Sequence, residues 1–399
     1  MAWRVSEEDF IKNISAISNL KLRTSYGVTG NSEITAYQAL AGLGNYSVIF
    51  DGARTIGVGV SRLANPDLRW EKTHQIDAGL ELGLFNNRVS MELDVYRKLT
   101  TDMLLSAPVP SSSGYTTVTR NVGSMENRGV EFALNTVNIA SNDFTWNTAF
   151  NISVNKNEVI ALTGGADIFS GRGVIREGEP VGSFFGYVRQ GTWGTDEADE
   201  AAKYLRLPGD VKYQDVNNDG QINDRDRVVI GKGIPDGFGS LINTFSYRNF
   251  DLTFDLQFMY GNDVSFASQH SAEDRQGIAN SFATVLNAWT PENQNTPIAQ
   301  WRPIPAGYDT FDDSHRVQDG DFIRGRNLLL GYNFSSGITE RLHLNRLRLY
   351  ASMQNFFLIT KYEGYDPEVS TSGGPFDQGL ALYDYPKPKV FMVGLNVGF

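Results

Sequence analysis

Polarity alternates with a period of two along most of this chain, and that period admits strands and excludes helices. Residues 20–28 set Leu20, Leu22, Tyr26 and Val28 against Lys21, Arg23, Ser25 and Gly27. Residues 75–84 set Ile76, Ala78, Leu80, Leu82 and Leu84 against Gln75, Asp77, Gly79, Glu81 and Gly83. The same reading holds for 90–95, 129–136, 145–155, 251–260 and 346–353, and less cleanly for 239–248 and 322–334. The last stretch, 389–399, alternates to the final residue, with Phe391, Val393, Leu395, Val397 and Phe399 on one parity. Chain ends ordinarily fray, so an end that finishes as a patterned strand is expected to pair with something. The total is about ten strands of roughly ten residues, the length that crosses a bilayer at a tilt.

The connections constrain the fold further. FNNR at 85–88, the stretch 138–143, the Tyr247–Phe250 junction and 335–344 read as short turns. Between them lie long segments at 29–74, 98–128, 156–238, 261–321 and 357–388. Short and long connections therefore alternate. A soluble sandwich has no reason for this, whereas a membrane barrel has short turns at one rim and long loops at the other. Aromatic residues collect near strand ends, as at Phe85, Trp146, Tyr247, Phe250, Tyr332 and Phe334, where rings with one wet side suit the headgroup zone.

Asp77, Glu81, Glu92, Asp94, Asp251, Asp255, Arg346 and Arg348 lie mid-strand on the polar parity. In a soluble sandwich they face solvent, and in a barrel they line a wet lumen. Periodicity does not choose between these, while the short–long alternation and the patterned terminus favour the barrel.

Composition removes several alternatives. The net charge of −11 argues against a nucleic-acid partner, which requires a basic surface. No stretch of about 18 apolar residues reads as a spanning helix, which leaves barrel strands open. There are no cysteines, so disulfide and thiolate chemistry are excluded. The first residues, MAWRVSEEDF, have neither the basic nor the apolar region of a signal peptide.

One segment has metal-ligand order. In DVNNDGQINDRD at 215–226, Asp215, Asn217 and Asp219 stand at positions 1, 3 and 5 of a calcium loop. Gly220 follows at 6, Gln221 offers a carbonyl at 7, and Asn223 and Asp226 stand at 9 and 12. Asp at 12 is shorter than the usual Glu, and an acidic turn that binds nothing is the plain alternative. Ca2+ is the only cofactor the sequence suggests. Trp193, Trp289 and Trp301 lie in long segments, where rings can stack on sugars, although packing within the loops is the commoner use. His74, His270, His315 and His343 lack metal spacing, and no nucleophile or phosphate-loop motif occurs, so no enzyme is expected.

Several stretches together resemble the SusC/RagA-type TonB-dependent outer-membrane transporters. They include YPKPKVFMVGLNVGF at the end, LRLYASMQNFFLITKYEGYDPEV (347–369) and DGDFIRGRNLLLGYNF (319–334). GFGSLINTFSYRNFDLTFDLQFMYG (237–261), residues 62–104 and NVGSMENRGVEFALN (121–135) add to them. The resemblance implies an all-β, antiparallel transmembrane barrel of 22 strands around a plug, in the outer membrane of a Gram-negative-type bacterium. It implies TonB-dependent import of oligosaccharides or peptides under a SusD-like surface lipoprotein, with outer-membrane lipid around the wall. Residues 1–399 are then expected to be the C-terminal part of the barrel, without plug or TonB box, and 156–238 its longest extracellular loop. A partial wall leaves two open edges, so this stretch is not expected to insert by itself. The competing expectation is a soluble or surface-attached β-rich glycan-binding module with a calcium-pinned loop.

Overall fold

A computed structural model describes residues 1–399 except 33, 35, 171, 274–279, 302–311, 370, 372, 373 and 375. Part of the expected long segment 261–321, and a few positions of 29–74, 156–238 and 357–388, thus lie outside the described residues.

An 11-stranded sheet dominates the fold. Its strands are β1 (Ala2–Arg4), β2 (Ile17–Asn31), β3 (Glu71–Leu84), β4 (Val89–Thr101), β5 (Gly123–Ala140), β6 (Phe144–Leu162), β7 (Gly237–Tyr247), β8 (Phe250–Tyr260), β9 (Phe322–Asn333), β10 (Arg346–Thr360) and β11 (Val390–Gly398). Each strand pairs with the next in the chain, always antiparallel, so the topology is a pure meander with β1 and β11 as edges. All ten strands expected from periodicity are present. The eleventh, β1, pairs only Ala2–Arg4 with Arg23–Lys21, too short to show a period.

The short connections are tight for local reasons. Phe85, Asn86 and Asn87 all adopt positive φ, at 53°, 56° and 59°, and asparagine tolerates the left-handed region better than most residues. Arg248 turns the β7–β8 hairpin at φ 50°. On the opposite rim the strands run further than the alternation suggests. β5 begins at Gly123 and β6 continues to Leu162, so the longest loop is 163–236 and not 156–238.

The long segments are not structureless. They hold hairpins Gly42–Phe50/Ala53–Arg62 and Leu104–Pro108/Thr117–Asn121, and a 4-stranded sheet that begins at Ile168–Ser170 and ends at Val228–Gly231. A 3-stranded sheet joins Asp263–Phe266 from one loop to Val317–Asp319 and, in parallel, to Leu380–Ala381 from another. Most buried apolar residues also lie here or at the strand ends that enter these segments. One cluster gathers Met103, Leu105, Val159, Ile168 and Ile175, a second Val264, Phe266, Tyr362 and Ala381, and a third Tyr187, Val211 and Tyr213.

The large sheet has no such core. Leu20, Leu82, Met91, Leu134, Phe150, Leu241 and Leu256 are successive register partners from β2 to β8, which puts a continuous apolar row on one face. Leu22, Ile76, Val95, Val130, Leu330, Leu349 and Leu395 on the same face are exposed, and Val393 is 79% exposed. Among the described residues no element covers this face, contrary to a sandwich. Among the described residues no helix is long and apolar enough to cross a membrane, so the strands themselves carry any crossing.

Placing a charge on the uncovered face discriminates lipid from water. In the whole protein, Val95→Arg is expected to cost about 2–4 kcal/mol of folding free energy in lipid vesicles if Val95 lies at mid-depth. Ser90→Arg on the other parity is expected to cost far less. Equal effects in the two variants would show that both faces are wet.

Candidate functional site

The other face of the sheet is a surface of interlocked polar side chains. Lys21 on β2 reaches Glu81 on β3 at 2.9 Å, and the Ser25 hydroxyl donates to Asp77 at 2.8 Å. Arg23 spans β3 to pair with Glu92 and Asp94 on β4. The room for that guanidinium comes from Gly79, where a Cβ would overlap both Arg23 and Asp94. Further round, the Tyr96 hydroxyl donates to Asn155 at 2.9 Å, Asn151 donates to Ser240 at 2.8 Å, and Arg348 pairs with Asp251 at 2.5 Å. Such side chains are costly in hydrocarbon and ordinary beside water.

The loops above this face are joined by buried ion pairs. Asp313, fully buried, accepts from Arg189 Nε at 2.9 Å and from the Tyr213 hydroxyl at 3.1 Å, which ties loop 163–236 to loop 261–321. Arg324, on β9, pairs at 2.7 Å with Asp366 of loop 361–389, both of them buried. The His315 ring stands 3.0 Å from Glu273. Burial pushes the Glu273 carboxyl up, but hydrogen bonds from His315, Gln269 and Thr284 outweigh it and hold the group below the ordinary carboxylate range.

The calcium-like segment forms a compact turn wired to its own backbone. Asp215 accepts from the amides of Asp219 and Gly220 at 3.2 and 2.8 Å, and Asn217 accepts from Asp219 at 2.8 Å. Asp219 accepts from the Gln221 amide at 2.9 Å, and Asn223 caps Arg225 at 3.0 Å. Gly220, at φ 79°, makes the turn that the pattern requires. Asp226, assigned by the pattern to close an ion's shell, is buried and accepts from Val216 and Asn223 instead, at 3.0 and 2.8 Å. Among the described residues no three histidine or acidic groups converge to hold a metal.

The three tryptophans do not form one site. Trp193 is 4% exposed, stacked on Tyr204 at 5.8 Å with Lys212 over its ring at 4.5 Å. Trp289 is 3% exposed, and a Cβ at Gly209 would strike it. Trp193 packs within loop 163–236 and Trp289 packs against Gly209 of that loop, so both rings are covered. Trp301 is 60% exposed.

The profile of the TonB dependent receptor-like, beta-barrel family matches residues 3–219, more than half of the chain. The chain belongs to this family. It is 36% identical to TonB-dependent receptor P3 of Formosa agariphila, over 100% of this chain and 41% of that protein. It is 31% identical to TonB-dependent receptor SusC of Bacteroides thetaiotaomicron, over 100% of this chain and 39% of that protein. The solved RagAB peptide transporter superposes with a TM-score of 0.82 at 28% identity, covering 100% of this chain and 43% of that one. The chain thus spans about two fifths of the length of these relatives.

As a TonB-dependent-receptor barrel wall of the outer membrane, the sheet turns its apolar face to lipid and its ionic face inward. The terminal signal reads directly on this wall. Phe391, Val393, Leu395 and Val397 pair with Met353, Ala351, Leu349 and Leu347 on the lipid side of β10. Phe399 lies just past β11 and is exposed. Trp146 stacks on Phe245 at 5.7 Å, and Phe250 meets Tyr332 at 4.7 Å, which makes an aromatic band at the short-turn rim. Tyr96 and Phe356 lie within strands and not at a rim.

Reading the sequence missed Arg189, Asp313, Arg324 and Asp366. Their partners lie in other loops, and no local pattern marks such pairs. Removing one partner strands a buried charge, so Asp313→Ala in the whole protein is expected to cost about 3–5 kcal/mol of loop stability. The readout is faster proteolysis and amide exchange in 163–236 and 289–300, with the strands unaffected.

Proposed function

We propose that this chain supplies barrel wall and outward loops to a TonB-driven importer of oligosaccharides or peptides. It works as a transport protein and not as an enzyme. In this reading the long-loop rim faces the outside, a SusD-like surface lipoprotein covers it, and the TonB complex acts through a plug held against the ionic face. The carrying observation is the two-sided sheet: an uncovered apolar face outside and interlocked charges within. The name of the RagAB peptide transporter supports the peptide class, and the oligosaccharide class rests on the resemblance to the SusC/RagA-type family. The soluble glycan-binding module has no support from a sheet whose apolar face is bare. In-frame removal of 163–236 from the whole transporter is expected to abolish cargo uptake by cells while the barrel keeps heat-modifiable gel mobility. Undiminished uptake would refute the assignment of that loop to cargo or lid.

We propose also that loop 215–226 takes calcium, a reading that rests on its oxygen order. Asp215, Asn217, Asp219, the Gln221 carbonyl and Asn223 would hold the ion, and Asp226 would have to release an amide to join them. Affinity of about 10⁻⁴–10⁻³ M is expected, as in extracellular modules. Calorimetry on the whole protein should show heat with calcium that Asp219→Ala removes, and no heat in the unmutated protein retires the proposal.

A further inference from the structure

Where loop 261–321 meets loop 361–389, the fold encloses a cavity of about 240 Å³ that no expected site residue touches. Its apolar wall is aromatic. Phe266 stacks on Phe282 at 5.8 Å and meets the Tyr362 ring edge-on at 5.5 Å. Glu363, Asp366 and Asp384 also line it, and among the described lining residues there is no lysine, arginine or histidine. Asp366 is neutralised from behind by Arg324 at 2.7 Å. Among the described residues the Asp384 carboxylate accepts only from the Thr371 hydroxyl, at 2.9 Å, and the Glu363 carboxylate only from the Gln318 side-chain amide, at 3.4 Å. Two carboxylates therefore line the cavity with no cation paired to them among the described residues.

A second observation is independent of the charges. Tyr362 is only 6% exposed, yet its hydroxyl has no hydrogen-bond partner among the described residues. Tyr362 lines the cavity and its oxygen is not sealed inside the protein, so the hydroxyl can bond a molecule bound there. Gly364 makes room for it, because a Cβ at 364 would overlap the Tyr362 hydroxyl. Burial pushes the phenol up, and Asp384 and Asp366 push it the same way, so it keeps its proton at neutral pH.

From this aromatic wall, the unpaired carboxylates and the unbonded hydroxyl, we infer that the cavity binds a protonated amine on an apolar stem, such as a basic side chain of a peptide. Rings attract a cation over their faces, the carboxylates neutralise it, and the Tyr362 oxygen accepts a hydrogen bond from one of its N–H groups. An anion is repelled by Asp384 and Glu363. A neutral sugar leaves both carboxylates without a counter-charge. A calcium ion needs six to eight oxygens, and among the described residues no three acidic or histidine groups converge to hold a metal. The inference rests on the uptake reading in one respect, since it makes the cargo a cationic peptide.

The test uses the whole transporter in detergent and two probes of nearly equal shape, phenethylammonium and phenethyl alcohol, followed by calorimetry. Phenethylammonium is expected to bind saturably and at least tenfold more tightly than the alcohol. Asp384→Asn is expected to remove that preference, and Gly364→Ala to weaken both probes by displacing Tyr362. Tyr362→Phe should weaken the amine more than the alcohol. Unchanged heat-modifiable mobility shows that each variant is folded. Equal binding of the two probes, no saturable binding, or amine binding untouched by Asp384→Asn would each overturn the inference. Cargo uptake measured on the same variants separates the two proposals: uptake with no amine preference removes only the cavity assignment.

Discussion

Inside hydrocarbon there is no water to satisfy a backbone amide, so a wall must bond every N–H and C=O to a neighbouring strand. The rest of this structure follows from that requirement. The ladder from β2 to β3 runs from Ile17 to Asn31, and the ladder from β5 to β6 from Gly123 to Leu162, each interrupted only by single-residue bulges. A continuous ladder in turn dictates that side chains alternate strictly between lipid and lumen. The lumen side can then carry Arg23 between Glu92 and Asp94, because its heads are wet while its backbone is fully paired.

The hydrophobic effect works differently on the two parts of the chain. In the sheet, apolar residues face outward, and what stabilises them is lipid. In the loops they gather inward around Val159, Val264 and Tyr187, as in a small water-soluble domain. The loops therefore have the usual devices of soluble proteins: small sheets, buried ion pairs and stacked rings. Asp313 joins two loops, and the parallel pairing of Ser265 with Leu380 joins one of them to a third. The rim assembly is one packed layer, not a set of separate loops.

How much of this was legible depends on how local the cause was. Strand parity is local, and wherever it is regular the strands were found. It blurs where the wall itself is irregular. In β9, Ile323 lies on the lipid parity with Leu328 and Leu330, although odd and even numbers should oppose each other. The bulge between Gly325 and Asn327 inserts Arg326 and shifts the parity, which keeps all three outward. In β7, Asn243 stands between Leu241 and Phe245 on the apolar parity and looks misplaced in sequence. Its oxygen accepts from Trp146 Nε1 at 2.9 Å and from the Thr148 hydroxyl at 2.7 Å, so the polar group is satisfied on the lipid face. The loops were less legible because their causes are distant. Packing is the commoner expectation for Trp193 and Trp289, but nothing near them in sequence marks Tyr204, Lys212 and Gly209 as the partners.

Loop position is also set by the wall. Arg324 belongs to β9, where it is the register partner of Gln257 on the lumen parity, yet its guanidinium holds Asp366 in the loop after β10. The Gln257 amide reaches Glu368 in the same loop at 3.3 Å, and Glu368 also pairs with Lys387 just before β11. Tyr362 stands two positions past the end of β10, so the register of that strand fixes where its ring begins. A one-residue slip in β10 would carry Tyr362 away from Phe266 and turn its lipid row inward at the same time. The apolar pattern that keeps the wall in the membrane thereby also fixes the aromatic cavity above it. No separate hinge or linker is needed to place that cavity, and a change in wall register cannot leave it intact.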